Sequence, residues 1–440
     1  MSQDATDWIR LEGVRVIDPF RGQDQEGDVL VGDGTFQEPT LSPRSRVRTM
    51  SGRGLWLVPR LTDMHVHFRA PGQEWKEDFQ SGSMAAAHGG FSVVATMANT
   101  DPVVDSVSLI QWQKAEAQAL GLVEVVPIGA VTKGLGGEEL AELWTMEQGG
   151  AGGFSDDGRP VASSALMRAA LSYSSTMRHP IIQHAEDLEL SHLGVMHEGD
   201  VSGRLGLTGI PLEAESAMVW RDVQLAALTN GRLHIAHISS LGALEALAWA
   251  KSRGLKVTAE VAPHHLFFTD ARVDSPAYDT ATKVNPPLRP DNVRQALLAA
   301  LKTGLIDAVA SDHAPHHADE KDRPYAQAAF GISGLETSLA AMITIGLGEA
   351  EMTPLALFER MTRAPHRILG MDYGGVVAGA RADFALIDPK ARWRVEPAGW
   401  YSKGKNSPWM GTELTGRVIS TMYGGHWTLQ EGEVVRCVQL

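Results

Sequence analysis

Two histidines one residue apart, His65 and His67 in Asp63-Met64-His65-Val66-His67, are the first residues in the chain with a spacing suited to chemistry. In extended backbone residues i and i+2 share a face, so both imidazoles can reach one ion while Val66 packs the other way. Taken alone, the pair fits two unrelated polar residues at a strand end equally well. Further groups follow in order. Phe154-Ser155-Asp156-Asp157-Gly158 offers a carboxylate able to bridge two ions, although Asp-Asp-Gly is also an ordinary turn sequence. His184 and His237 each follow an apolar run, in Gln183-His184-Ala185-Glu186 and Ala236-His237-Ile238-Ser239. Asp312 opens Asp312-His313-Ala314-Pro315-His316. A lone histidine after an apolar run is more often structural than a ligand. The whole order His-x-His, Asp, His, His, Asp is what points to a metal centre.

Neutral imidazoles with carboxylates suit Zn²⁺, with Mn²⁺ or Co²⁺ as substitutes. Two such ions about 3.5–4 Å apart can share a hydroxide and lower its pKa towards neutrality, and one of them can polarise a carbonyl oxygen. An aspartate touching both metal and water can take the nucleophile's proton and pass it to a leaving nitrogen. Asp312 is the candidate for that role. The chemistry is hydrolysis of an amide without a covalent enzyme intermediate.

These groups must be brought to one place by the elements that carry them. Short apolar runs at 55–58, 91–97, 123–131, 152–154, 180–183, 232–236, 256–261 and 306–310 alternate with helical patterns at 109–120, 165–177, 214–228, 242–250 and 293–301. Eight strand candidates alternating with helices predict an α/β fold, a (β/α)8 barrel over residues 57–370. Active sites of such barrels lie at the C-terminal strand ends, where strands one, four, five, six and eight put the residues above. Residues 1–56 and 371–440 read as strands and turns, as in 14–17, 28–31, 382–387, 418–422 and 433–438. They predict a small β-sandwich domain built from both termini.

Composition narrows the function further. A formal net charge of −14 argues against a general nucleic-acid binder. The single cysteine, Cys437, excludes an intrachain disulfide framework and a Cys-rich zinc site, and suits a reducing, cytoplasmic setting. The polar N-terminus lacks a basic-then-apolar leader, and no run approaches the ~18 apolar residues of a membrane span.

Several stretches go beyond generic metal ligands. Asp63-Met64-His65-Val66-His67-Phe68-Arg69-Ala70-Pro71-Gly72, Met97-Ala98-Asn99-Thr100, Phe154-Ser155-Asp156-Asp157-Gly158, Val284-Asn285-Pro286-Pro287-Leu288-Arg289 and Asp312-His313-Ala314-Pro315-His316 resemble, in order, the motifs of dihydroorotases of the class I type, in the amidohydrolase superfamily. The resemblance covers residues 10 to 435. It implies reversible interconversion of L-dihydroorotate and N-carbamoyl-L-aspartate in pyrimidine synthesis. By motif position His65, His67 and Asp312 would hold one zinc, His184 and His237 a second, with Asp157 rather than Asp156 bridging, for one or two ions per subunit. The α-carboxylate of the substrate would meet Arg69, Asn99 and His316, and Asn285 would lie near the ring. The Gly331-Ile332-Ser333-Gly334 stretch would add backbone contacts, and segment 314–324 would cover the site as a lid. A homodimer is expected, and association with aspartate transcarbamoylase stays open.

Many relatives bridge their metals with a carboxylated lysine, which the fourth strand here does not offer. That favours the dihydroorotase over a hydantoinase- or allantoinase-like cyclic amidase. A non-catalytic partner of aspartate transcarbamoylase is disfavoured because every ligand position is filled. His264 and His265 match no metal position and read as structural, and Glu74 to Asp78 read as solvated surface. Asp307 and His313 receive no role. One departure stands out: Pro59-Arg60 occupies the place of the family's usual Pro-Gly, and a positive φ there would suit glycine better.

Overall fold

The computed structural model describes residues 8–41 and 46–435. Residues 1–7, Cys437 and Val438, on which the leader, redox and last-strand expectations rest, lie outside the described residues.

Parallel strands alternating with helices form the middle of the chain. Thr62–Val66 pairs with Val93–Thr96, and that strand with Glu124–Pro127. Ile181–Gln183, Leu233–Ile235, Val257–Val261 and Ala308–Val309 form a second parallel row. The two arcs meet through single bridges. Phe154 pairs in parallel with Gly129 and with Ile181, and His313 with Val66. The fourth of the eight ring positions is therefore one residue wide. Just before it the chain passes close to its neighbour: a Cβ on Gly152 would lie 2.2 Å from Val126 Cγ1, so glycine is required there.

Strand residues alternate between two apolar sets. Met64, Ala95, Val126, Ile182, Ala236 and Ala308 share one cluster. Val94, Val125, Ile181, Ile235 and Val309 fall in the larger cluster with the surrounding helices. That period of two is what a strand buried on both faces requires. The helices between them stop where the backbone turns left-handed, at Gly121 after Val107–Leu120, Asn230 after Glu213–Thr229 and Gly304 after Asp291–Thr303. No helix among the described residues is long and apolar enough to cross a membrane.

The strands of the two termini pair into one nine-stranded sheet that folds over a shared core, with Phe36 from the first terminus packed 5.9 Å from Phe384 of the second. Trp56–Pro59 joins its halves, pairing in parallel with Trp8–Asp18 and antiparallel with Phe384–Arg394. The apolar run 55–58, expected as the first barrel strand, thus belongs to the terminal sheet, and the ring begins at Thr62–Val66. Arg60 separates the two strands. Its φ of +49° turns the chain, and its buried guanidinium donates to Asp383, to Glu124 at 2.5 Å and to His366 Nε2 at 3.2 Å. Three acceptors hold in place a conformation that glycine would reach unaided.

Between Phe384–Arg394 and Glu413–Tyr423 the chain leaves the sheet. Trp400 and Trp409 in this connection are buried against Val284, Leu288 and Ile332, beside the strand ends of the ring.

Candidate metal centre

The strand ends carry His65, His67, Asp157, His184, His237 and Asp312 into one buried cluster. Asp157 stands in its middle. Its Oδ1 lies 3.3 Å from His65 Nε2, 3.4 Å from His237 Nε2 and 3.5 Å from His184 Nδ1, and its Oδ2 lies 3.4 Å from His67 Nε2. Asp312 Oδ1 is 3.4 Å from His67 Nε2 and 3.6 Å from His65 Nε2. His65, His67 and Asp312 form one group of donor atoms suited to a cation, and His65, Asp157 and His237 form another. His184 Nδ1 joins the second from 2.9 Å off His237 Nε2. Asp156 points away: Oδ1 accepts from the amides of Val131 and Thr132 at 2.8 and 2.9 Å, and Oδ2 from the Thr132 hydroxyl.

Neighbours on the far side of each ring fix its tautomer. Carboxylate and amide oxygens only accept, so the facing ring nitrogen carries the proton. His65 Nδ1 donates to Glu260 Oε1 at 2.7 Å, His67 Nδ1 to Asn99 Oδ1 at 2.8 Å and His184 Nε2 to Glu186 Oε2 at 3.2 Å. The lone pairs of His65 Nε2, His67 Nε2 and His184 Nδ1 are left facing inward. His65 Nε2 and Asp157 Oδ1 are buried without a hydrogen-bond partner. Converging acceptor atoms left unpaired in a dry site fit a bound cation.

Electrostatics agree. Burial opposes a charged His65, yet Asp157, Glu260 and Asp312 outweigh it and hold the ring well above its ordinary value. Burial likewise disfavours the His184 cation, but Asp157 and Glu186 push it up to about 10. Burial favours neutral carboxyls, but the histidines hold Asp157 and Asp312 below the usual carboxylate range. Glu260 is drawn down to about 2 against burial by His234 and His65. Burial lowers His67, so positive charge is favoured at His65 and His184 and not at every ring.

Three site residues occupy the left-handed region: Arg69 at φ +59°, His237 at +32° and Asp312 at +49°. Non-glycine residues held there cost of order 1–3 kcal/mol each, and such strain concentrates where side chains must be aimed. Asp63 helps aim them, its carboxylate accepting from the amides of His65 and Ser311 at 3.0–3.1 Å and joining the first ligand loop to the last.

The residues expected around a substrate lie on the same rim, with partners of their own. Arg69 is buried, and its Nε donates to Pro315 O at 3.3 Å. Its Nη2 lies 3.3 Å from His316 Nε2. Arginine only donates, so His316 Nε2 is the acceptor there, and its Nδ1 donates to Glu320 at 3.3 Å. His316, expected as a donor, here orients Arg69. Asn99 spends its oxygen on His67, and Asn285 Nδ2 donates to Glu186 at 2.9 Å. Gly334 N donates to His313 Nδ1. In segment 314–324 the short helix Ala318–Lys321 buries Lys321, whose Nζ donates to the carbonyls of Ala329 and Gly331.

Other residues take roles that their sequence context hid. Glu77, expected as solvated, is fully buried. It accepts from Ser81 and Ser402 hydroxyls and from His313 Nε2. His313 is thereby a strut for the loop of Asp312. Asp307 sits at the opposite end of its strand, paired with Lys251 at 2.8 Å. His265 Nε2 donates to Pro286 O, and His264 makes no hydrogen bond with either ring nitrogen. Glu260 and Glu186, the outer partners of two ligand histidines, were not singled out. The detectable signal for Glu260 was one carboxylate within the otherwise neutral strand Val257–Val261.

Residues 54–242 match the family model described as Dihydro-orotase-like. The chain is 46% identical over 434 residues to the dihydroorotase of Anaeromyxobacter dehalogenans, covering 98% of this chain and 100% of that one. It is 47% identical over 419 residues to the dihydroorotase of Geobacter metallireducens, covering 95% and 98%. Among solved structures, the L-hydantoinase (dihydropyrimidinase) of Arthrobacter aurescens superposes with a TM-score of 0.86 at 25% identity over 97% of each chain. The dihydropyrimidinase of Brevibacillus agri superposes at 0.84 and 20% identity, over 98% of this chain and 96% of the other, and shares the fold.

Proposed function

The chain belongs to the dihydroorotase family, and we propose that it interconverts L-dihydroorotate and N-carbamoyl-L-aspartate in pyrimidine synthesis, at a metal centre. The observation that carries this is the buried Arg69 guanidinium beside the convergent donor set, which pairs a carboxylate-binding group with a hydrolytic centre.

In this proposal His65, His67 and Asp312, together with Asp157, His184 and His237, would hold zinc, as one or two ions. Such ions, when bound, supply Lewis acidity and lower the pKa of water. The chain's own residues do the rest. Arg69 binds the α-carboxylate of the substrate, and Asn99 Nδ2 reaches it from the neighbouring strand end. Asn285 faces the ring. Asp312, whose Oδ1 faces His65 and His67 on the rim of the site, would take the proton from the attacking water and return it to the ring nitrogen as the amide opens. In the reverse direction the same carboxylate would take the proton from the carbamoyl nitrogen.

The solved neighbour named as an L-hydantoinase shares the fold, so hydantoin hydrolysis is the second reading. The hydantoin ring lacks the carboxylate that Arg69 would meet. Purified protein should therefore turn over dihydroorotate and leave hydantoin and allantoin largely unchanged. Preferential hydrolysis of hydantoin, or full dihydroorotate activity in both His65→Ala and Asp312→Ala, would refute the proposal.

A further inference from the structure

We propose that residues 400–409, which connect two strands of the terminal sheet, brace the substrate pocket, with Asn406 as the positioning residue. This rests on the dihydroorotase reading and adds to it a part of the chain that no ligand or substrate motif includes. Asn406 joins two loops that would surround the substrate. Its Oδ1 accepts from the amide of His316 at 3.3 Å, and its Nδ2 donates to Gly331 O at 3.0 Å. Its own carbonyl accepts from Ser333 N at 2.8 Å. Two residues earlier, Gly404 O accepts from the Ser333 hydroxyl at 2.7 Å. The His316 loop carries both polar partners of Arg69, namely Pro315 O and His316 Nε2.

The contact is close as well as polar. A methyl group added at Gly404 would lie 2.8 Å from Pro315 Cβ and 3.0 Å from His316 N. The brace is anchored at both ends. Ser402 donates to Glu77 at 2.5 Å, and Trp400 and Trp409 are buried against Val284, Leu288 and Ile332. Glu77 and His313 connect the same segment to the residue after Asp312. Residues 400–409 thus carry the terminal sheet to the pocket, and loosening their Gly404–Asn406 part while Ser402 stays on Glu77 should displace the carboxylate-binding loop and leave the metal ligands in place.

The test compares the full-length parent with Asn406→Ala, Gly404→Ala and Ser407→Ala, after metal loading, for kcat and KM with dihydroorotate, metal content and Tm. Asn406→Ala removes the two side-chain bonds, and Gly404→Ala pushes the segment off Pro315. Both should raise KM about fivefold to tenfold with kcat within about twofold and metal content unchanged. Ser407→Ala deletes a buried hydroxyl that has no partner and should match the parent. Asn406→Asp keeps the acceptor for His316 N and should restore part of the KM. A lowered Tm with parental KM in Asn406→Ala and Gly404→Ala would overturn the brace while leaving the activity assignment standing. A parent unable to turn over dihydroorotate would overturn both.

Discussion

Asp157 Oδ1 lies 3.3 Å from His65 Nε2, and both atoms are buried without a hydrogen-bond partner. Next to it, Asp156 spends both carboxylate oxygens on Val131 and Thr132. Two adjacent aspartates of one turn thus have opposite surroundings, and their variants should separate. Asp157→Asn should lose bound metal and lower activity by more than the roughly 10–100-fold typical of losing an outer partner. Asp156→Asn should keep its metal and lose about 1–3 kcal/mol of stability, because it weakens buried acceptors. Metal analysis and denaturant unfolding of both variants check this. Metal loss in Asp156→Asn alone would reverse the assignment.

Glu260 accepts from His65 Nδ1 at 2.7 Å and so aims the Nε2 lone pair at the centre. An outer carboxylate of this kind sets ring orientation and basicity. Glu260→Ala should weaken metal binding about 10–100-fold while the ligand set stays complete. Competition with a chelator reads this directly. Equal chelator sensitivity in parent and variant would show that Glu260 serves only its neighbour His234.

The ligand set was legible because metal binding demands particular residue types at strand ends, and a strand end is visible as the close of an apolar run. His184, His237 and Asp312 each follow such a run. The ring's beginning was not legible. The apolar run 55–58 lies just before the mixed stretch Thr62–Val66, and only pairing partners assign the run to the terminal sheet and the stretch to the ring. Outer partners were hidden for a related reason. Glu77 looks solvated within Glu74-Trp75-Lys76-Glu77-Asp78, and its burial depends on Ser402, far along the chain. The single sheet at the termini depends on Trp56–Pro59 finding partners from both ends, which periodicity does not encode. At Arg60 the sequence warned of a positive φ, and the compensating acceptors became visible only in three dimensions.

Arg69 follows His67 by two residues on the same loop, yet among the described residues its guanidinium donates only to Pro315 O and His316 Nε2, both neutral acceptors. Burial lowers its pKa against the pull of Asp312, Asp157, Glu320 and Glu77, and among the described residues no carboxylate lies in hydrogen-bond contact with the guanidinium. A carboxylate entering the pocket would supply that contact. Hydrogen bonds to charged groups are worth about 1.5–3 kcal/mol, so Arg69→Met should raise KM for carbamoyl-aspartate roughly 10–100-fold. Metal content should not change. Loss of metal from that variant would contradict a substrate-binding role.

The Lys321 side chain is buried, and among the described residues its Nζ donates only to the carbonyl oxygens of Ala329 and Gly331. Burial, followed by the nearby Lys283 charge, lowers its pKa from 10.5 to about 7. Between those values the unfolded chain binds a proton that the folded chain does not. Folding stability from this group therefore rises as pH rises from about 7 towards 10.5, and the benefit is lost on returning to neutral pH. The contribution approaches about 1.4 kcal/mol per pH unit in mid-window. Lys321→Met removes the titration. Urea unfolding of parent and variant at pH 7 and pH 9 should show the parent gaining stability relative to Lys321→Met at the higher pH. A stability difference that stays constant across the two pH values would mean that Lys321 remains charged in the folded protein. Its two carbonyl bonds would then have to compensate for burying an ammonium group, a stronger hold on the loop of Ala329 and Gly331 than neutral hydrogen bonds provide.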